Sequence, residues 1–309
     1  MKPQITVICP VFNEEKAIPI FYERVFGVFE RLSESHQCNL LFIDNCSTDR
    51  SLEIIRELRK KDPRVFHLGL SINVGYQKSM EAGLKNAVGD FFVIIDVDCE
   101  DPPEMIEDFI QIQKTGFDIV YGERVDRSEG VFVKNLRKVF YRVTRFVSDE
   151  HFFVDMAEFC LITSEVRDAL IQDMSSFPFI RAAIGRVGFA FKGVPYKRHP
   201  RVAGHSNFNV SRMVTFAIAG ILSTSTLPLR GMVYFFPVVI LSTILALLSF
   251  LGVLSFGDGV DRFFIFVILF YIAIGVMFNS IYLARVYKNG LGRPNAFLVR
   301  RKTERQSPK

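Results

Sequence analysis

Residues Phe91–Glu104 read FFVIIDVDCEDPPE. Five apolar residues, three of them β-branched, run into the acidic positions Asp96, Asp98 and Glu100, and the pair Pro102-Pro103 then opens a helix. An apolar run of this kind is a strand buried on both faces, and the carboxyl end of such a strand is where an open α/β sheet meets its ligand. Side chains alternate along an extended segment, so Asp96 and Asp98 are expected on one side, with Glu100 next in phase. Carboxylates grouped in this way suit a hard divalent cation, Mg2+ or Mn2+, that binds through oxygen and bridges a diphosphate. Acidic pairs also occur in ordinary solvated loops; the buried-strand setting is what favours the cation here.

The same rhythm extends outward in both directions. Ile5–Val11, Leu40–Asp44, Val65–Leu70, Phe91–Asp96 and Ile119–Gly122 read as strands, and Glu15–Leu32, Thr48–Lys61, Gly75–Ala87 and Pro103–Lys114 read as helices. This βαβα alternation predicts an α/β domain with a mostly parallel sheet and flanking helices over residues 1–210. Polar residues gather at successive strand ends: Asn13 and Glu14, then Asp44 and Asn45, then Asn73, then Asp96 and Asp98. Four strands ending this way describe one cleft. Arg124, Arg198 and Arg201 are the basic residues expected near it, with structural salt bridges as the alternative reading for each.

The C-terminal third has a different composition. Gly231–Phe256 and Phe263–Leu283 carry no charge, and each is longer than the ~20 residues a helix needs to cross a bilayer. The short GDGVDR linker at Gly257–Arg262 predicts an antiparallel hairpin across residues 231–283. Arg212 and Arg230 before it, and Arg285, Lys288, Arg293, Arg300, Arg301 and Lys302 after it, orient both ends toward the cytosol by the positive-inside bias. The expectation is a multi-pass protein of the cytoplasmic membrane with a basic cytosolic tail over 284–309, disordered from Thr303. Phe132–Ser148 and Ser211–Thr226 read as helices lying at the bilayer surface or packed on the domain, the second within the 211–230 linker.

The formal net charge of the 309-residue chain is +5, from 38 Lys and Arg against 33 Asp and Glu. With two apolar spans nearby, that modest excess points to a membrane surface or a phosphate-bearing substrate rather than nucleic acid. The 5 cysteines lack any C-x-x-C spacing and the histidines form no H-x-x-x-H pair, which favours reduced thiols over a disulfide frame or zinc site. The N-terminal MKPQITVICP has neither an apolar h-region nor a small-residue cleavage site, so no signal peptide is expected.

Several motifs together resemble family 2 glycosyltransferases: CPVFNEE at Cys9–Glu15, IDNCSTD at Ile43–Asp49, NVGYQKSMEAGL at Asn73–Leu84, DVDCEDPPE at Asp96–Glu104 and YGER at Tyr121–Arg124. RVAGHSNFNVSRM at Arg201–Met213, the apolar hairpin and Gly292-Arg293-Pro294 narrow the likeness to the polyprenyl-phosphate branch. The resemblance implies a GT-A-type fold and inverting transfer of a sugar from a UDP- or GDP-sugar to an undecaprenyl- or dolichyl-type phosphate. It further implies that Pro10, Phe12, Glu14 and Asp44 hold the nucleoside, with Asp96, Val97, Asp98, Arg201 and Asn207 completing the donor site. Asp98 and Glu100 would be the metal ligands, and Arg124, Lys138 and Ser206 would meet the acceptor phosphate. Glu158 would be a candidate base, and a homo-oligomer is possible.

Three positions depart from the family pattern. Glu100 stands where the family has Gln, Asn207 where it has Lys, and Glu158-Phe159-Cys160-Leu161 where it has D-F-R-L. The first adds a negative ligand, and the other two remove donor groups, which keeps open an alternative in which the chain is a catalytically weak scaffold of an envelope assembly. A processive polysaccharide synthase is disfavoured because its Q-x-x-R-W segment needs a Trp and the sequence has 0. A dinucleotide oxidoreductase is disfavoured because the first strand leads into PVFNEE rather than G-x-G-x-x-G.

Overall fold

The computed structural model describes residues 2–125, 156–172, 180–202, 225–254 and 257–306. Lys138, Ser206, Asn207, the helix expected at 132–148 and nearly all of the one expected at 211–226 lie outside those residues.

The N-terminal part is built on β1 (Gln4–Val11), α1 (Ala17–Leu32), β2 (Gln37–Asp44), α2 (Ser51–Lys61), β3 (Val65–Gly69), α3 (Tyr76–Asn86), β4 (Phe91–Ile94), α4 (Met105–Gln113) and β5 (Ile119–Arg124). There follow β6 (Met156–Thr163), α5 (Ser164–Gln172), α6 (Ile180–Arg186) and β7 (Phe191–Tyr196). The strands form one 7-stranded sheet in the order β3-β2-β1-β4-β6-β5-β7. It is the mostly parallel, helix-flanked sheet expected, with β6 running antiparallel to both β4 and β5. Sequence reading found neither β6 nor β7. A parallel order follows from strand–helix alternation, whereas β6 inserts between strands 4 and 5 from later in the chain, and local pattern carries no record of that partner choice. Strand β7 carries Gly193 and Pro195 and sits at the sheet edge, where a missing ladder donor is tolerated.

Both faces of the sheet are covered, which is why its strands read as continuous apolar runs. Helices α1, α2 and α4 pack with Val7, Phe42 and Val93 on one face. Helices α3, α5 and α6 pack with Ile8, Leu41 and Phe92 on the other. Helix α3 lies close to β1: a Cβ at Gly83 would stand 2.6 Å from Ile8 Cγ2. The register pairs Val11 with Asp44 and Asp44 with Gly69, so β1, β2 and β3 end level with one another on the cleft side.

Two long apolar helices follow, α7 (Leu227–Phe250) and α8 (Asp258–Gly290), both long and apolar enough to cross a membrane. Their boundaries differ from the expected ones. Helix α7 ends at Phe250, Gly252 just after it takes a positive φ of 70°, and Asp258, expected in the linker, begins α8. Tyr271 donates to the Met232 carbonyl at 3.0 Å and Tyr282 to the Ser225 carbonyl at 2.6 Å, which sets the pair antiparallel.

The tail was expected to be disordered from Thr303, and the structure corrects this for Thr303–Gln306. Glu304 pairs antiparallel with His67 and Leu298 with Leu70, so the chain after α8 lies along the open edge of β3, whose unpaired backbone groups it satisfies.

Candidate active site

The strand ends build the cleft. Asn13, at φ 57°, turns the chain after β1, and its Oδ1 accepts the Thr48 amide at 2.8 Å. This ties the loop after β1 to the loop after β2. Asp44 is fully buried; its Oδ1 accepts the Ser47 amide at 3.0 Å, while Oδ2 has no hydrogen-bond partner. An unpartnered buried acceptor is costly, and a ligand N–H or O–H would satisfy it. Phe12 stands at the same rim with its ring partly exposed. Pro10 is buried within β1, paired with Ile43.

The acidic segment is a turn, which changes the geometry expected of it. Strand β4 ends at Ile94 and the chain turns at Val97-Asp98, before Cys99 at φ 56°, so Asp96 and Asp98 do not extend side by side along a strand. They face different partners. Asp96 Oδ1 accepts the Tyr76 hydroxyl hydrogen at 2.6 Å, and burial, with Glu158 and Asp98 nearby, pushes its carboxyl up to about 7. Asp98 Oδ1 accepts the Glu100 amide at 3.1 Å, and its Oδ2 lies 2.9 Å from Arg201. Val97, between them, packs its side chain into the core and offers the cleft only its backbone.

Two arginines from the segment after β7 close over this turn. Arg201 also lies 3.4 Å from Glu100 and 3.6 Å from Glu14, and Arg198 pairs with Glu100. Backbone bonds from His199 to the Glu100 carbonyl (2.8 Å) and from Val202 to the Asp98 carbonyl (3.3 Å) hold the segment there. Burial raises the Glu14 carboxyl, and Arg201 partly offsets that rise. Deeper in, Arg124 pairs with the buried Asp101 at 3.2 Å and bonds the Tyr196 hydroxyl at 3.1 Å.

Opposite Asp96 stands Glu158 on β6. Gln77 donates to it at 2.8 Å, and Arg181 lies 3.4 Å away. Gln77 in turn accepts the Ile180 amide at 3.0 Å, which fixes the start of α6 against α3. Cys160, two residues along β6, is fully buried, its thiol pushed up to about 12 by burial and by Glu158. Sequence reasoning gave no role to Tyr76, Gln77, Asp101, Arg181 or Tyr196. The NVGYQ motif contains the first two, but nothing in its spacing says that they meet Asp96 and Glu158.

A divalent cation fits one part of this arrangement. Among the described residues no three of His, Cys, Asp and Glu are gathered as a ligand set. Asp98 and Glu100, however, are two hard oxygen donors within reach of one guanidinium, and Glu100 Oε2 is buried with no hydrogen bond of its own although Arg198 lies against it. Two protein carboxylates, with diphosphate oxygens and water as the remaining ligands, are the usual complement for Mg2+.

A mostly parallel sheet with carboxylates turned into a cleft at its strand ends is the architecture of a GT-A-type glycosyltransferase. Residues 6–170 match the family model Glycosyl transferase family 2, and the chain belongs to that family. It is similar to the uncharacterized glycosyltransferase YkcC of Bacillus subtilis, at 34% identity over 85% of this chain and 76% of that one. It is also similar to the bactoprenol glucosyl transferase of Shigella phage SfX, at 33% identity over 97% of this chain and 100% of the relative. The prophage bactoprenol glucosyl transferase homolog of Escherichia coli is 35% identical over 75% of each chain.

Proposed function

We propose that this glycosyltransferase moves a sugar from a UDP- or GDP-sugar to a polyprenyl phosphate of the bactoprenol type, with inversion at the anomeric carbon. The observation that carries this reading is the likeness to a bactoprenol glucosyl transferase along 97% of the chain, which takes in the cleft and both apolar helices. The acceptor is a membrane lipid, and α7 and α8 suit a hairpin that keeps the cleft beside it, with the catalytic domain on the cytosolic face. The basic residues flanking the hairpin support that orientation.

In this reading a phosphate oxygen of the acceptor attacks the anomeric carbon as the bond to the diphosphate breaks, and no covalent enzyme intermediate forms. A phosphate monoester is already largely ionised at neutral pH, so the acceptor needs orientation more than deprotonation. Arg124, with Lys138 and Ser206, receives that phosphate. Asp44, with Pro10, Phe12 and Glu14 around it, takes the nucleoside through its unpartnered buried Oδ2. Arg201 passes from Asp98 and Glu100 to the donor diphosphate, with Asn207 beside it, and Asp98 and Glu100 are left to hold a cation. When bound, the cation neutralises charge on the departing diphosphate. Glu158, held by Gln77 and Arg181, faces the sugar and orients it.

The test offers the purified protein Mg2+ or Mn2+, a panel of UDP- and GDP-sugars and a short polyprenyl phosphate, and identifies the lipid product by mass. A glycosylated polyprenyl phosphate from one donor is expected. Donor hydrolysis without a lipid product from any of them would reject the acceptor.

A further inference from the structure

After α8 ends at Gly290, the chain returns to the catalytic domain and traverses it from one end of the sheet to the other. At the cleft end, the Ser71 amide donates to the Phe297 carbonyl at 3.0 Å and the Val299 amide to the Gly69 carbonyl at 2.8 Å. Midway, the amides and carbonyls of His67 and Glu304 exchange two hydrogen bonds, at 3.1 and 2.7 Å, and Arg59 pairs with Glu304 at 2.7 Å. At the far end Gln306 is 6% exposed; its Oε1 accepts the Val88 amide at 2.7 Å and its Nε2 donates to Thr6 Oγ1 at 3.1 Å. Asn295 adds a bond to Glu81 of α3 at 2.7 Å. The contact is close enough to require glycine: a Cβ at Gly69 would collide with Lys302 Cβ and lie 2.6 Å from the Lys302 carbonyl oxygen.

We propose that residues 295–306 act as a strap that holds the mouth of the cleft near the end of the second apolar helix, and so presents the cleft to an acceptor lying in the membrane. The inference rests on the membrane-lipid reading given above. Chain length supplies the physical reason. Seven residues, 291–297, separate the end of α8 from the cleft rim, so with the strap docked that distance cannot exceed ~25 Å. The other covalent link, residues 203–224, is about three times as long in residues, so with the strap undocked only the longer tether remains. Effective concentration falls as about the −3/2 power of tether length, so releasing the strap should dilute the cleft at the bilayer about fivefold. None of the strap's bonds involves a residue placed in the cleft chemistry, so its loss leaves the cleft itself intact.

The experiment compares wild type with Gly69→Ala, which displaces the strap, and with a chain truncated after Pro294, which removes it. Each is assayed on a long-chain polyprenyl phosphate in vesicles and on a short, water-soluble prenyl phosphate in detergent. The expected result is a fall of about fivefold or more on the vesicle substrate, with donor affinity and turnover of the soluble acceptor unchanged. An equal fall on both acceptors, or no fall on either, overturns the proposal. Docking is read separately in a His67→Cys, Glu304→Cys double variant: an intrachain disulfide supports the strap, and an interchain disulfide or none overturns it. If wild type glycosylates neither acceptor, the functional reading fails while this cross-link still reports on docking.

Discussion

Arg201 holds Asp98 at 2.9 Å while lying within 3.6 Å of both Glu100 and Glu14, so one guanidinium is shared among three carboxylates at the mouth of the cleft. In the proposed function the same guanidinium is an internal counter-charge before the donor arrives and a phosphate ligand afterwards. Replacing it should separate the two roles. Arg201→Gln is expected to weaken nucleoside diphosphate binding about tenfold or more, the worth of a hydrogen bond to a charged group. Binding of Mn2+ alone should tighten, since the carboxylates lose their competitor. Calorimetry with each ligand separately checks both; weaker binding of the metal alone would show that Arg201 does not compete for those carboxylates.

Asp98→Asn removes one of the two proposed cation ligands while keeping a side chain that can still accept the Glu100 amide. Transfer should fall by about a hundredfold or more, as when a group stabilising developing charge is deleted. Circular dichroism should report an unchanged fold. A chelator should abolish wild-type transfer, and added Mg2+ or Mn2+ should restore it. Normal turnover in the Asn variant would remove Asp98 from the cation site.

Arg124 is bound inside the protein before any acceptor is present, by Asp101, whose side chain is 2% exposed, and by Tyr196. Arg124→Gln leaves that buried carboxylate only Arg198, at 3.9 Å, as a charge partner and should cost about 2–3 kcal/mol of stability. Arg124→Lys keeps the charge and should recover most of this, while losing the forked geometry that suits a phosphate. Thermal melting of the two variants in detergent, set beside their KM for the acceptor, distinguishes a structural ion pair from a phosphate ligand.

His67 should make the stability of the fold sensitive to pH. Burial lowers its pKa below the ordinary 6.5, with Glu304 opposing that shift in part. Above 6.5 the imidazole is neutral in both folded and unfolded chains and contributes nothing to the difference between them. As pH falls through 6.5 the unfolded chain takes the proton first, so stability declines until the folded pKa is reached. Tm measured from about pH 7.5 down to about pH 5 should fall in wild type and fall less in His67→Gln. Equal slopes would mean that His67 carries none of the dependence.

Local periodicity encodes the individual elements of this fold. Continuous apolar runs ending in Asp44 or Asp96 announce buried parallel strands with polar mouths, and more than twenty uncharged residues in a row announce a membrane-length helix. These signals survive without knowledge of the fold because each is complete within one element. Which residues stand beside one another depends on long-range packing. Tyr76 meets Asp96 across 20 positions, Gln77 meets Glu158 across 81, and Arg59 meets Glu304 across 245. Such pairings arise when the sheet closes and β6 inserts between β4 and β5. The turn at Val97-Asp98 likewise separates Asp96 from Asp98, which alternation along a strand would have kept together. The tail's composition is polar and basic, as in a solvated segment, yet it is ordered because β3 leaves an unpaired edge, and only the assembled sheet has one.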